Sequence, residues 1–272
     1  MDEYNSARCC FDASARTGEP DAMPCLKAAD VPGIIKRLDA LLSTNDLHAA
    51  VRLLNESCKT ARENGDWRSE LSLQNENLGL QRRTGDREAA QSAVERCLEL
   101  INKHRMGSTV SGATVMLNAA TTMKFLGRSD EALPIFRHVS RIYAEHLDEH
   151  DYRFAGLYNN MALSYQDVGD FGSAERHFFH ALDIIRFCRN PENDTAVTWC
   201  NLAELYELTG DGEKLESALD KAYELLTSPE AAADGGYHAF TLSKCIPTFD
   251  RLGFFVYAHE LRRRLEEHHD WT

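Results

Sequence analysis

Apolar positions recur every three or four residues along most of the chain. In one stretch they are Tyr158, Met161, Ala162 and Tyr165. An α-helix has 3.6 residues per turn, so this spacing places all four on one helical face. Strand-like alternation of apolar and polar residues is absent over any useful length. The pattern therefore predicts amphipathic helices and an all-α fold.

Short polar turns interrupt the helices at intervals of 40 to 43 residues. Each turn contains a glycine or an asparagine, the residues that most readily adopt the left-handed conformation at the end of a helix. Five positions after most of them comes an alanine, such as Ala174, which lets two helix backbones approach closely. We predict turns within two residues of Asn45, Gly85, Gly127, Gly169, Gly210 and Gly253.

This repeat predicts about six antiparallel helix pairs, stacked as a solenoid over residues 31–272. The approximate repeats are 31–66, 67–106, 107–149, 150–191, 192–232 and 233–272. Residues 1–30 are expected to form a polar, unstructured N-terminal tail. Its thiols (Cys9, Cys10 and Cys25) are interpreted as incidental, with a redox or metal role as the alternative.

The fourth repeat resembles a tetratricopeptide repeat (TPR). The family pattern has an aromatic residue, a Leu-Gly/Ala pair, Tyr, Gly, Ala, an aromatic residue and Ala. The matching residues are Tyr158, Met161-Ala162, Tyr165, Gly169, Ala174, Phe178 and Ala181. The interval of about 42 residues exceeds the common TPR period of about 34 and resembles that of kinesin light chain repeats. The resemblance implies a right-handed α-solenoid, the TPR superhelix, that binds proteins without catalysis.

A column of asparagines accompanies the repeat at intervals of 41 or 42 residues: Asn77, Asn118, Asn160 and Asn201. Each precedes the helix-packing pair, so we predict that all four project into the concave groove formed by the first helices. An amide can pair with both the N–H and the C=O of a peptide, a role that asparagine has in the families this chain resembles. The alternative is that these amides stabilise neighbouring helices. Lys124, Gln166 and Lys244 complete the predicted groove.

The net charge and the absence of known motifs exclude several classes of function. The 272 residues include 30 basic and 43 acidic ones, a formal charge of −13, which argues against nucleic acid and anionic membranes as partners. Phosphate loops, catalytic motifs and long apolar segments are absent from the sequence. We therefore predict no enzyme activity, no cofactor and a cytoplasmic location with reduced thiols. His177 and His180 have a metal-compatible spacing, but we interpret them as surface residues, so no metal site is predicted.

The last turn differs from the others because Gly253 precedes four apolar residues, among them Phe254, Phe255 and Tyr257. We expect either that the chain end caps them or that they form the interface of a homodimer.

The leading functional hypothesis is a non-catalytic module that holds a linear peptide segment of a partner protein in its groove. The alternatives are a receptor for a short intracellular signalling peptide and a homo-oligomeric scaffold. Glu204, Glu207 and Asp167 favour a basic ligand segment at the later repeats.

Overall fold

The computed structural model describes residues 28–269, which form thirteen helices and no strands. The predicted tail up to residue 27, with Cys9, Cys10 and Cys25, lies outside the described residues, as does Trp271. The helices are α1 (Val31–Ser43), α2 (Leu47–Glu63), α3 (Trp67–Thr84), α4 (Arg87–Lys103), α5 (Val110–Phe125), α6 (Ser129–His146), α7 (Arg153–Asp167), α8 (Phe171–Ile185), α9 (Glu192–Thr209), α10 (Gly212–Leu226), α11 (Pro229–Ala232), α12 (Gly236–Arg251) and α13 (Phe255–His269).

The predicted turns are confirmed, because all six turn residues have a positive φ, from 56° at Asn45 to 86° at Gly253. An aspartate caps the helix that follows several of these turns. At Asp170, for example, a side-chain oxygen accepts a hydrogen bond from the backbone N–H of Ser173 at 3.1 Å. The local sequence thus both ends one helix and starts the next.

The chain divides into two compact units, Met1–His146 and Leu147–Thr272. In the first, α1 to α6 pack in sequence, and the first helices α3 and α5 also touch each other. Its core includes Leu54, Leu78 and Leu100 from α2 to α4, and Phe136 and Tyr143 from α6, each at most 1% exposed.

The second unit contains α7 to α13. Its first helices contact one another, α7 with α9 and α9 with α12. The core includes Phe178, Leu202 and Phe249, which are fully buried. The four-residue helix α11 was not predicted, and it is tied to α9 because the Asn193 Nδ2 donates to the Ala231 carbonyl at 3.1 Å.

The small residues after the turns have the predicted packing role, since Ala50, Ala90, Ala132, Ala174 and Ala258 are all 0% exposed. The predicted fold class, an all-α solenoid of helix pairs, is confirmed. In the part of the chain that the structure describes, none of the helices has the length and apolar character needed to cross a bilayer. The cysteines of that part are free thiols: Cys58, Cys97, Cys188, Cys200 and Cys245.

Candidate functional site

The four predicted asparagines each lie on the first helix of a helix pair. Their side-chain amides have different hydrogen-bond partners in the two compact units. In the first unit Asn77 is only 6% exposed. Its Nδ2 donates to the Gln74 Oε1 at 3.3 Å, and its Oδ1 accepts from the Gln81 Nε2 at 2.8 Å. Both polar atoms of the Asn77 amide are therefore engaged within α3.

Asn118, which is half-buried on α5, bonds to the neighbouring repeat. Its Nδ2 donates to the Asn75 Oδ1 on α3 at 2.8 Å. The buried Arg82 reinforces the same contact, since its Nη1 donates to the Thr122 Oγ1 at 2.5 Å and to the Asn118 carbonyl at 3.4 Å. In this unit the amide contacts match the structural alternative, in which asparagine joins adjacent helices.

The sequence contains a signal that separates Asn77 from the other three predicted asparagines. Counting back nine residues from the turn glycine gives Asn118, Asn160 and Asn201, but in the second repeat it gives Glu76. Asn77 is therefore one residue out of register, which rotates its side chain by about 100° around the helix.

In the second unit the amides retain unused hydrogen-bonding atoms. The Asn160 Nδ2 on α7 donates to the Gly156 carbonyl at 2.9 Å, but its buried Oδ1 accepts no bond from the described residues. On α9 the buried Nδ2 of Asn201 likewise donates to no described residue. A buried polar atom without a partner costs about 1–3 kcal/mol, so such atoms usually bind water or a ligand.

Two further unpaired atoms lie on α7, the Ser164 Oγ and the Gln166 Oε1. Gln166 is one of the predicted groove residues. Ser164 is 0% exposed and follows Asn160 by one helical turn. Within residues 28–267, the unpaired buried side-chain atoms thus all belong to α7 and α9. Sequence reasoning missed Ser164, although its spacing of four residues from Asn160 places both on one helical face.

The predicted cationic groove residues are engaged with the protein. Lys124 is half-buried on α5 and has interaction partners. The Lys244 Nζ on α12 lies 5.5 Å from the centre of the Phe240 ring, a cation–π contact.

The acidic side chains on α9 form a network with α12. The Arg251 Nη2 lies 3.0 Å from the Glu204 Oε1, and the same guanidinium also pairs with Glu207. The Thr248 hydroxyl donates to Glu204 at 2.8 Å. Burial by itself lowers the pKa of Arg251, but its bonds to Glu207 and Glu204 outweigh burial and raise it. The expectation that Glu204 and Glu207 favour a basic ligand stays a prediction. One guanidinium engages both carboxylates, so a basic ligand group would compete with Arg251 for them.

The two histidines on α8 have different surroundings. His180 is exposed as expected, but His177 is half-buried, 5.0 Å from the Tyr165 ring centre. Its Nδ1 donates to the Ser173 carbonyl at 2.7 Å, and burial lowers the pKa of this imidazole. Clusters of three or more metal-binding side chains do not occur in the part of the chain that the structure describes.

Of the four apolar residues after Gly253, two pack against the protein and two are exposed. Tyr257 stacks on Tyr223, with ring centres 4.1 Å apart, and its hydroxyl donates to Asp220 at 3.0 Å. Phe254 is half-buried. Phe255 and Val256 point outward and are 66% and 81% exposed.

Comparison with known proteins supports the interpretation of the fold. Residues 153–228, which cover α7 to α10, match the tetratricopeptide repeat family. The resemblance to tetratricopeptide repeats seen in the sequence is therefore confirmed. Proteins of this family generally mediate protein–protein interactions. No curated protein sequence matches the chain significantly.

Three solved structures share the fold. BtubC (BKLC) from P. vanneervenii is 24% identical with a TM-score of 0.62, and the alignment covers 76% of this chain and 82% of that one. Kinesin light chain-like TPR repeats from P. anserina are 17% identical with a TM-score of 0.52, covering 73% and 94%. The type IV pilus biogenesis factor PilW is 13% identical with a TM-score of 0.56, covering 90% and 96%. At these identities the similarity concerns the fold.

Proposed function

We propose that the second unit is a non-catalytic module that binds an extended segment of another protein along α7 and α9. The observation that carries the proposal is the pair of unpaired amide atoms, the Asn160 Oδ1 and the Asn201 Nδ2. One is an acceptor and the other a donor, and a peptide main chain supplies the complementary N–H and C=O groups. Because both residues are half-buried, rotation of the amide brings the unpaired atom to the surface. At Asn160 the rotation gives up the bond from the Nδ2 to the Gly156 carbonyl, and the bond to the ligand replaces it.

Alanine substitution separates this role from a structural one. We expect Asn160→Ala and Asn201→Ala each to weaken the binding of a peptide selected from a random phage-displayed library about fivefold to tenfold, the value of one hydrogen bond. The thermal midpoint should stay close to that of the wild type, because the Asn160 Oδ1 and the Asn201 Nδ2 make no bond in the free protein. The one bond lost, from the Asn160 Nδ2 to the Gly156 carbonyl, goes to a helix carbonyl that keeps its backbone hydrogen bond. Fluorescence polarisation of the labelled peptide and circular dichroism measure the two effects.

Asn118→Ala is the matched control in the first unit. Its amide is bonded to Asn75, so this variant should lose stability and retain peptide affinity. Wild-type affinity in both Asn160→Ala and Asn201→Ala would contradict the proposal. A receptor for a short signalling peptide would use the same two amides, and it differs in that the bound peptide is free and not part of a protein.

A second candidate function, a homodimeric scaffold, is favoured by the exposure of Phe255 and Val256 at the start of α13. Large apolar side chains that adjoin at a surface commonly mark an interface. Light scattering over a range of concentrations should then show a dimer for the wild type and a folded monomer for Phe255→Asp. A wild type that stays monomeric at every concentration rules out this candidate.

A further inference from the structure

The charged side chains next to Asn201 are already paired with one another. Glu204 is only 13% exposed and bonds to both Arg251 and Thr248. A basic ligand group would have to displace Arg251 from Glu204 and Glu207, and an acidic ligand would have to detach Arg251 from the same partners. Glu204 and Glu207 share one guanidinium, so a ligand charge of either sign on the surface of α9 that faces α12 would have to compete with an existing ion pair.

The neighbouring charged side chains of α12 also have partners within the protein. Asp250 pairs with Arg262 of α13, and the Lys244 ammonium lies over the Phe240 ring. Exchanging such internal pairs for pairs with a ligand gains little, because the desolvation and the Coulomb attraction nearly cancel. Charge on a ligand is therefore a poor source of affinity here.

An apolar side chain is available on this face instead. Leu208 follows Asn201 by seven residues, which is two helical turns and hence the same face of α9. It is 54% exposed, whereas Leu202 and Leu205 of the same helix are at most 1% exposed. Leu208 thus presents apolar surface in line with an amide that has an unpaired donor.

We infer that the segment bound by the second unit is uncharged where it crosses α9 and places an aliphatic side chain against Leu208. This inference rests on the proposed function and specifies its ligand class. The main chain of the segment supplies the polar contacts to Asn160 and Asn201, and the aliphatic side chain covers Leu208. The affinity then comes from main-chain hydrogen bonds and apolar contact.

The test uses the full chain and a library of short random peptides displayed on phage. Peptides selected on the wild type should share an aliphatic residue and lack charge at the adjoining positions. For the best peptide, Leu208→Asp should weaken binding at least about tenfold, since it puts a charge against apolar surface. Raising the salt concentration should change its affinity less than about twofold, because an uncharged peptide forms no ion pair with the protein that salt could screen.

Phe187→Asp is the matched control, because Phe187 is an apolar residue of similar exposure, 52%, in the turn that follows α8. It introduces the same charge and should leave the affinity unchanged. Circular dichroism of both variants verifies that each is folded.

Failure of this inference and failure of the proposed function have different signatures. Selected peptides rich in Lys, Arg, Asp or Glu, with affinity that falls as salt rises, overturn the inference even if Asn160→Ala and Asn201→Ala weaken binding. Wild-type affinity in Leu208→Asp overturns it as well. A selection that yields no binding peptide overturns the proposed function, and the inference with it.

Discussion

Glu70 on α3 is a buried carboxylate held by arginines from two other helices. It is 1% exposed. Its Oε1 lies 2.8 Å from the Arg62 Nε on α2 and 2.7 Å from the Arg96 Nε on α4, and its Oε2 accepts from the Arg96 Nη2 at 2.8 Å. Three consecutive helices of the first unit therefore meet at one charge, and Glu70→Gln removes that charge while nearly preserving the volume.

The expected cost follows from the burial of the three partners. Breaking a fully buried ion pair destabilises a protein by about 3–5 kcal/mol. The Arg62 side chain is 53% exposed and can return to water, whereas that of Arg96 is 21% exposed and keeps a bond to Glu99 at 2.7 Å. We therefore expect Glu70→Gln to lower the free energy of unfolding of the first unit by about 2–3 kcal/mol.

Glu99→Gln provides the matched control, since it removes a second carboxylate from the same arginine. The Glu99 side chain is 59% exposed, so this substitution should cost at most about 1 kcal/mol. Urea unfolding followed by Trp67 fluorescence measures both, in a chain carrying Trp199→Phe and Trp271→Phe, because Trp67 stacks on His104 within the first unit. If the two variants lose equal stability, the argument from burial is refuted.

The same carboxylate predicts a pH dependence. Burial raises the pKa of Glu70, but the hydrogen bonds and charges of Arg96 and Arg62 outweigh it and hold the pKa below its ordinary value. A carboxyl with a depressed folded-state pKa contributes stability above its unfolded pKa of about 4.3, and this is lost as the pH falls through the folded value. The stability difference between the wild type and Glu70→Gln should therefore be constant near neutral pH and shrink below about pH 4.

Two further predictions concern a turn and a buried hydrogen bond. Gly169→Ala should destabilise the protein by about 1 kcal/mol, because Gly169 has a φ of 81°. Gly172→Ala, in the first turn of α8 with open space around the new methyl group, should be neutral or stabilising by up to about 1 kcal/mol; equal losses in thermal unfolding would contradict this. Tyr143→Phe should cost about 1 kcal/mol, since it removes the 2.9 Å bond between the Tyr143 hydroxyl and Thr114. Retained stability in urea would show that Thr114 finds another partner.

Local features of this protein were predictable from the sequence alone. The turn at Gly210 has a φ of 73°, a conformation that depends on the absence of a side chain and not on distant contacts. The Asp that follows caps α10 through a bond to the Lys214 N–H at 3.1 Å, three residues away. Fully buried alanines such as Ala174 were predictable for the same reason, because turn residues and helical periodicity determine which face of each helix packs.

The pairing of polar side chains was decided by the tertiary structure. Asn75 and Asn77 are chemically identical, and only the rotation of α3 against α5 determines that Asn75 meets Asn118. Arg251 pairs with Glu204 from 47 positions further along the chain. The sequence of α9 therefore identifies the acidic groups but not the arginine that pairs with them. Hydrogen bonds and ion pairs require atoms to lie within a few ångströms in a suitable orientation. Helical periodicity identifies the face on which a side chain lies, but only the packing of one helix on another brings its partner within that range.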